Sequence, residues 1–219
     1  MRGSSSFEEL LERFRSGDIR LLCGTQMIAK GLDFPGVRLV GVVNADTSIN
    51  LPDFRSGERT FQLVAQVVGR CGRGSAAGRA VIQTLQPDAP PIRLAAEHDY
   101  PAFADRELED RRMFGLPPVR RMARILVRDP GETKAWEHAE AIATRLAELP
   151  EAAETEIRRP SACPISRVAG RYRVQLEVLA DSPATISRLL SSARSNGVFS
   201  GALALGESVA IDVDPIALL

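Results

Sequence analysis

The chain has 219 residues, enough for one large domain or two small ones with their own cores, and its 44% hydrophobic and 26% charged residues make the mixture of a globular protein. Twenty-eight basic residues balance 28 acidic ones, which excludes an overall positive field and leaves any nucleic-acid contact to local clusters. No apolar run approaches the roughly 18 to 20 residues needed to cross a bilayer, and the stretch from Met1 to Ser6 has no signal-peptide character, so a cytoplasmic protein without membrane partners is expected.

From the N-terminus, Ser6 and Glu9 are spaced as a capping box, and Phe7, Leu10, Leu11 and Phe14 follow at helical spacing before Gly17. Three apolar runs, Ile19 to Cys23, Val37 to Val43 and Arg79 to Leu85, predict buried strands of a parallel α/β sheet. Ligands of such sheets gather where strands end in loops, which directs attention to Gly24–Asp33 and Asn44–Arg59. Ser56 to Arg70 has helical spacing, with Phe61, Val64 and Val68 on an apolar side and Gln62, Gln66 and Arg70 on a polar one. A further helix begins near Asp99 and ends at Gly115, before the double proline Pro117–Pro118.

That proline pair marks the expected boundary between residues 1–115 and residues 116–219. Beyond it the pattern predicts strand Met122–Arg128, helix Thr133–Leu149, a short strand near Glu156–Arg159 and strand Arg171–Leu179. Helix Pro183–Ser195 and strand Val209–Val213 complete a β-α-β-β-α-β order, the split βαβ arrangement of a small α+β domain.

Two segments carry chemistry. The first, Gly24 to Pro35, follows a predicted strand and offers backbone N–H groups and the Thr25 hydroxyl to a phosphate oxygen, with a cation at Lys30 and a carboxylate at Asp33. The second, Gln66 to Gly74, places Arg70 and Arg73 three residues apart at a helix end between glycines, where guanidinium groups can meet charge on a transferring phosphoryl group. Either alone reads as a loop or a solvated turn; their order and separation point to a nucleotide-driven motor. Cys23, Cys71 and Cys163 are far apart and form no C-x-x-C pair, so neither a zinc site nor a disulfide framework is indicated.

In these residues the chain resembles superfamily 2 helicases, with Gly24–Pro35 similar to motif V and Gln66–Arg73 similar to motif VI. The phrases Asn44–Asp46, Asn50–Arg55, Arg111–Pro118, Gly170–Arg173 and Asp212–Pro215 narrow the resemblance to the PriA family of primosomal replication-restart helicases. The resemblance implies a partial RecA-like helicase lobe followed by the α+β domain. It implies that Thr25, Gln26 and Lys30 contact the phosphates of the translocating DNA strand, that Gly31, Asp33 and Gln66 lie toward ATP, and that Arg73, or else Arg70, is the arginine finger. It further implies ATP and Mg²⁺ in the intact enzyme, forked, branched or single-stranded DNA, and as partners single-stranded DNA-binding protein and the primosome proteins. The family also carries a zinc-binding cysteine cluster.

The sequence departs from that pattern. It contains no G-x-x-x-x-G-K-[ST] phosphate loop, no D-E-x-H-like metal-holding motif and no zinc cluster, so this chain alone is expected not to hydrolyse ATP. The least balanced charge run lies in the second domain, where Arg158, Arg159, Arg167, Arg171 and Arg173 occur without an intervening acidic residue. Arg171 and Arg173 alternate with apolar residues and should share a strand face with Gln175; with Arg167 they are the candidates there for following a phosphate backbone, against the alternative of a solvated sheet face. A different reading of the whole is a stand-alone, non-catalytic module that binds DNA or a replisome partner.

Overall fold

The computed structural model describes residues 4–25, 37–69, 78–206 and 208–216. The chain is mixed α/β and divides into two compact units, Met1–Asn50 with Ser56–Asp105 and Leu51–Arg55 with Arg106–Leu219.

In the first unit, helix α1 (Ser4–Arg15) forms over the expected stretch and is closed by Gly17 at φ 87°, a left-handed turn that glycine adopts without cost. The Ser6 side chain of the capping box lies outside the described residues. Strand β1 (Leu39–Val42) is followed by the short helix α2 (Asp46–Ile49), helix α3 (Ser56–Val68) and strand β2 (Arg79–Ile82). Strands β1 and β2 pair in parallel, from Leu39 opposite Arg79 to Val42 opposite Ile82. Ile19–Cys23, expected as a strand, is irregular: no described strand pairs with it, and the Ile19 N–H donates instead to Arg13 O at 3.1 Å.

Helix α4 (Pro90–Ala96) starts with proline in its first turn, where a missing N–H costs nothing. Its Leu94 and Ala95 pack with Phe61 and Val64 of α3 and with Phe103 of helix α5 (Tyr100–Met113). The rings of Phe61 and Phe103 stack at 4.2 Å, with Tyr100 tilted against Phe61 at 5.9 Å. These aromatic contacts hold α3 at a fixed position in its unit.

The second unit is built on an antiparallel sheet. Strand β3 (Arg121–Asp129) lies between β6 (Arg171–Ala180) and β7 (Val209–Val213), while β4 (Glu156–Ile157) and β5 (Ser161–Val168) both run along the other side of β6. Helices α6 (Glu132–Ala147) and α7 (Pro183–Ser195) cover one face. Strand alternation delivers Ile125 and Val127 of β3 and Val174, Leu176 and Val178 of β6 to that face, where Ile142, Leu146, Ile186 and Leu189 meet them fully buried. Burial of each such side chain contributes about 1.5–3 kcal/mol. On the opposite face, the cross-strand neighbours Met122 and Leu179 are capped by Phe54 and Leu116.

Candidate nucleotide and nucleic-acid surfaces

In the first unit the ends of β1 and β2 are fixed by a single carboxylate. Asn44 turns the chain at φ 56°, a conformation asparagine tolerates, and Asp46 follows. Its carboxylate accepts from the Thr84 hydroxyl at 2.8 Å and from the Leu85 N–H at 2.8 Å, and the Gln86 amide donates both to it, at 3.5 Å, and to Asn50 Oδ1, at 3.3 Å. The Leu85 N–H, followed by the Thr84 hydroxyl, holds the Asp46 carboxyl below its ordinary range despite the opposing effect of burial. Asp46 was legible as part of the strand-end phrase but not as its organising acceptor, since its partners lie 38 or more residues away.

Gln66 lies half-buried in the last turns of α3, whose Phe61, Val64 and Val67 are turned into the core. The helix ends at Gly69, where the N–H donates to Ala65 O at 2.9 Å and an added Cβ would meet the same oxygen at 3.2 Å. No hydrogen bond joins the Gln66 amide to another described residue. Thr25 is exposed, at the end of the irregular segment. Gln26, Lys30, Gly31, Asp33, Arg70 and Arg73 lie outside the described residues.

In the second unit the arginines part company. Arg171, Arg173 and Gln175 alternate with the core residues of β6 and therefore belong to the face opposite α6 and α7. Arg173 Nη1 donates to Ile165 O at 3.4 Å. Arg167 pairs in register with Tyr172, which packs against the helix-side core, and its guanidinium lies 5.0 Å over that ring. It is thus on the other face from Arg173.

Sequence reasoning passed over Arg124 and Arg128 of β3, which join Arg173 on the far face: Arg124 lies opposite Glu177 and Asp212, and Arg128 lies opposite Arg173. Their alternation with Ala123, Ile125 and Val127 was the available signal. Cys163 also points to this side, its Sγ 3.7 Å from Gln175 Oε1, and burial pushes its thiol up against the opposing pull of Arg173 and Arg124. Among the described residues no three His, Cys, Asp or Glu side chains gather to hold a metal ion. No helix among them is long and apolar enough to cross a membrane.

Comparison with known proteins places these features in a family. Residues 4–75 match the helicase conserved C-terminal domain, and residues 112–216 match the primosomal protein N C-terminal domain. The replication restart protein PriA of Bacillus subtilis (strain 168) is 45% identical over 183 residues, 84% of this chain and 23% of that protein. The PriA of Treponema pallidum (strain Nichols) is 38% identical over 217 residues, 99% of this chain and 32% of that protein, and that of Synechocystis sp. is 37% identical over 218 residues, 99% of this chain and 25% of that protein. The chain thus spans about a quarter to a third of the length of these relatives. With the two domain matches in order and the likeness running over nearly all of its residues, the chain belongs to the PriA family and corresponds to its C-terminal portion.

Proposed function

We propose that this chain is the C-terminal part of an ATP-dependent 3′–5′ DNA helicase that acts in replication restart and primosome assembly in the cytoplasm. The observation that carries the reading is α3, a helix locked by the Phe61–Phe103 stack that presents Gln66 and stops at Gly69, immediately before Arg70 and Arg73. A rigid helix that leads within five residues into Arg70 and Arg73 suits the aiming of a guanidinium at a phosphoryl group.

Gln66 would orient the nucleotide with its side-chain amide, together with Gly31 and Asp33. Arg73, with Arg70 as the second candidate, would oppose charge on the transferring phosphoryl group. Thr25, Gln26 and Lys30 would hold phosphates of the DNA strand. ATP with Mg²⁺ would supply the phosphoryl transfer, its phosphates and metal gripped by residues this chain does not contain. The division at Leu116 would separate the motor part from a DNA- and partner-binding domain, whose strand order we read as the split βαβ arrangement. Arg171 and Arg173, with Arg167 from the other face, would add contacts to forked or single-stranded DNA, and single-stranded DNA-binding protein and primosome proteins would be its protein partners.

The test joins this chain to the remaining N-terminal part of the Bacillus subtilis relative. The chimera should hydrolyse ATP in response to forked DNA, and the chain alone should not. Arg73→Ala in the chimera should lower the rate by about 10³-fold or more. A chimera that folds and binds DNA without ATP turnover would sink the motor reading. One observation favours the non-catalytic binding module instead: the second unit has a complete core of its own on β3, β6, α6 and α7. Fork binding by the chain, with an inactive chimera, would support that alternative.

A further inference from the structure

The face of the second unit opposite α6 and α7 carries more positive charge than it neutralises. Arg128 and Arg173 are cross-strand partners, so two like charges stand directly opposite each other, an arrangement that destabilises a sheet unless something lies between them. Among the described residues neither has a carboxylate partner; their hydrogen bonds go outward to backbone oxygens, from Arg128 Nη2 to Gly206 at 3.2 Å and from Arg173 Nη1 to Ile165 at 3.4 Å.

Arg124, on the same face, is 8% exposed, and its Nε and Nη1 are buried without a hydrogen-bond partner among the described residues, as is Nε of Arg128. Asp212, in register with it, forms only a long ion pair, its oxygen 3.8 Å from Arg124 Nη2 and beyond hydrogen-bonding distance. Glu177, the other acid in register, is taken by Arg158 at 3.2 Å. Buried guanidinium donors are normally satisfied, because leaving them without a partner forfeits their hydration.

We propose that Arg124, Arg128 and Arg173 form a binding site for a phosphate group. Tetrahedral oxyanions accept several N–H donors at once, which matches the Nε and Nη1 of Arg124 and the Nε of Arg128 beside the donors that Arg173 does not spend on Ile165. The row of Arg171 and Arg173 along β6 extends the positive surface beyond one group, which favours the phosphates of a nucleic-acid strand over a free anion. That choice of occupant rests on the DNA-binding reading given above; the site itself rests on the geometry of the sheet.

The experiment uses the whole chain. Thermal unfolding is followed by fluorescence of Trp136, the single tryptophan, which packs against the second unit's core. Inorganic phosphate at about ten times its dissociation constant should raise the midpoint by roughly 5 °C over chloride at equal ionic strength. The double variant Arg128→Gln/Arg173→Gln should lose that rise and melt higher than wild type in chloride, because its opposed charges are gone. Arg106→Gln, on α5, should keep the rise. Equal midpoints in phosphate and chloride, or a rise that survives in the double variant, would overturn the site. Arg124→Gln is measured as well; should it fail to fold, the surface pair still decides.

A second arm titrates a single-stranded oligonucleotide against salt. The double variant should bind at least tenfold more weakly, with a salt dependence shallower by about 0.7 for each phosphate that the missing guanidinium groups no longer neutralise. Unchanged oligonucleotide affinity alongside an abolished phosphate effect would overturn nucleic acid as the occupant and leave the motor reading intact. Absence of oligonucleotide binding by the wild-type chain would count against the DNA reading itself, while the phosphate arm would still decide the site.

Discussion

At the scale of single residues, two groups test the electrostatics directly. Asp46 is held below its ordinary value of 3.8 by hydrogen bonds from Leu85 and Thr84. A depressed folded-state value means that the carboxylate's stabilisation is fully present above about 3.8, and that it fades as pH falls through the lower folded value. Amide protection factors in peptides spanning residues 79–89, corrected for the intrinsic pH dependence of exchange, should therefore fall below about pH 4 in the wild type. In Asp46→Asn protection should be low already at pH 7, with a flatter response to acid. A wild-type acid response that persists in Asp46→Asn would show that another group is responsible. Cys163 offers the converse case, a buried thiol whose ionisation is pushed up. In a Cys23→Ser/Cys71→Ser background it should react with a maleimide at least a hundredfold more slowly than exposed Cys23 does in its own single-cysteine variant, until denaturant opens the second unit. Comparable rates in native buffer would mean that the sheet face is open at Cys163.

At the scale of elements, helix α7 is a case in which local sequence and tertiary packing agree. Ser182 caps it by accepting from the Thr185 N–H at 3.2 Å, Pro183 occupies the first turn, and Ile186, Leu189, Leu190 and Ala193 form the buried stripe. Ser182→Ala should cost about 1 kcal/mol, read as a lower denaturant midpoint with unchanged slope; a change in slope would mean that the cap also shapes the unfolded chain. The same agreement explains why this helix and β7 were legible to the residue. Elsewhere local cues fell short. Pro164 argues against a strand, yet β5 runs through it because the ladder with β6 shifts register between Ala162 and Arg167 and frees that stretch from regular pairing. The proline-led helix α4 was not among the expected elements, because its apolar stripe is completed only by α3 and α5. The candidate site was legible in unequal parts. Gln66 stood out because motif and helix period coincide on it, whereas Arg124 and Arg128 did not, because their significance is a relation between β3 and β6 that no single strand displays.

At the scale of the whole molecule, the two units have separate cores, one around Phe61, Val64 and Phe103 and the other around Ile125, Leu176 and Leu189. The second is the larger and includes Trp136 among its partly buried members. Two cores of unequal size imply that unfolding is not a single cooperative event, since each loses its own buried surface at its own denaturant concentration. Unfolding followed by Trp136 fluorescence should then lag behind unfolding followed by far-ultraviolet circular dichroism, which sees helices of both units. Leu176→Ala separates the contributions. Leu176 is fully buried in the second core, and replacing it should cost about 2–5 kcal/mol. That variant should bring the Trp136 transition to lower denaturant while leaving unchanged the amide exchange of α3 peptides, which report the Phe61–Phe103 core. Coincident fluorescence and dichroism curves in the wild type, together with faster α3 exchange in Leu176→Ala, would instead establish that the two cores stand or fall as one cooperative body.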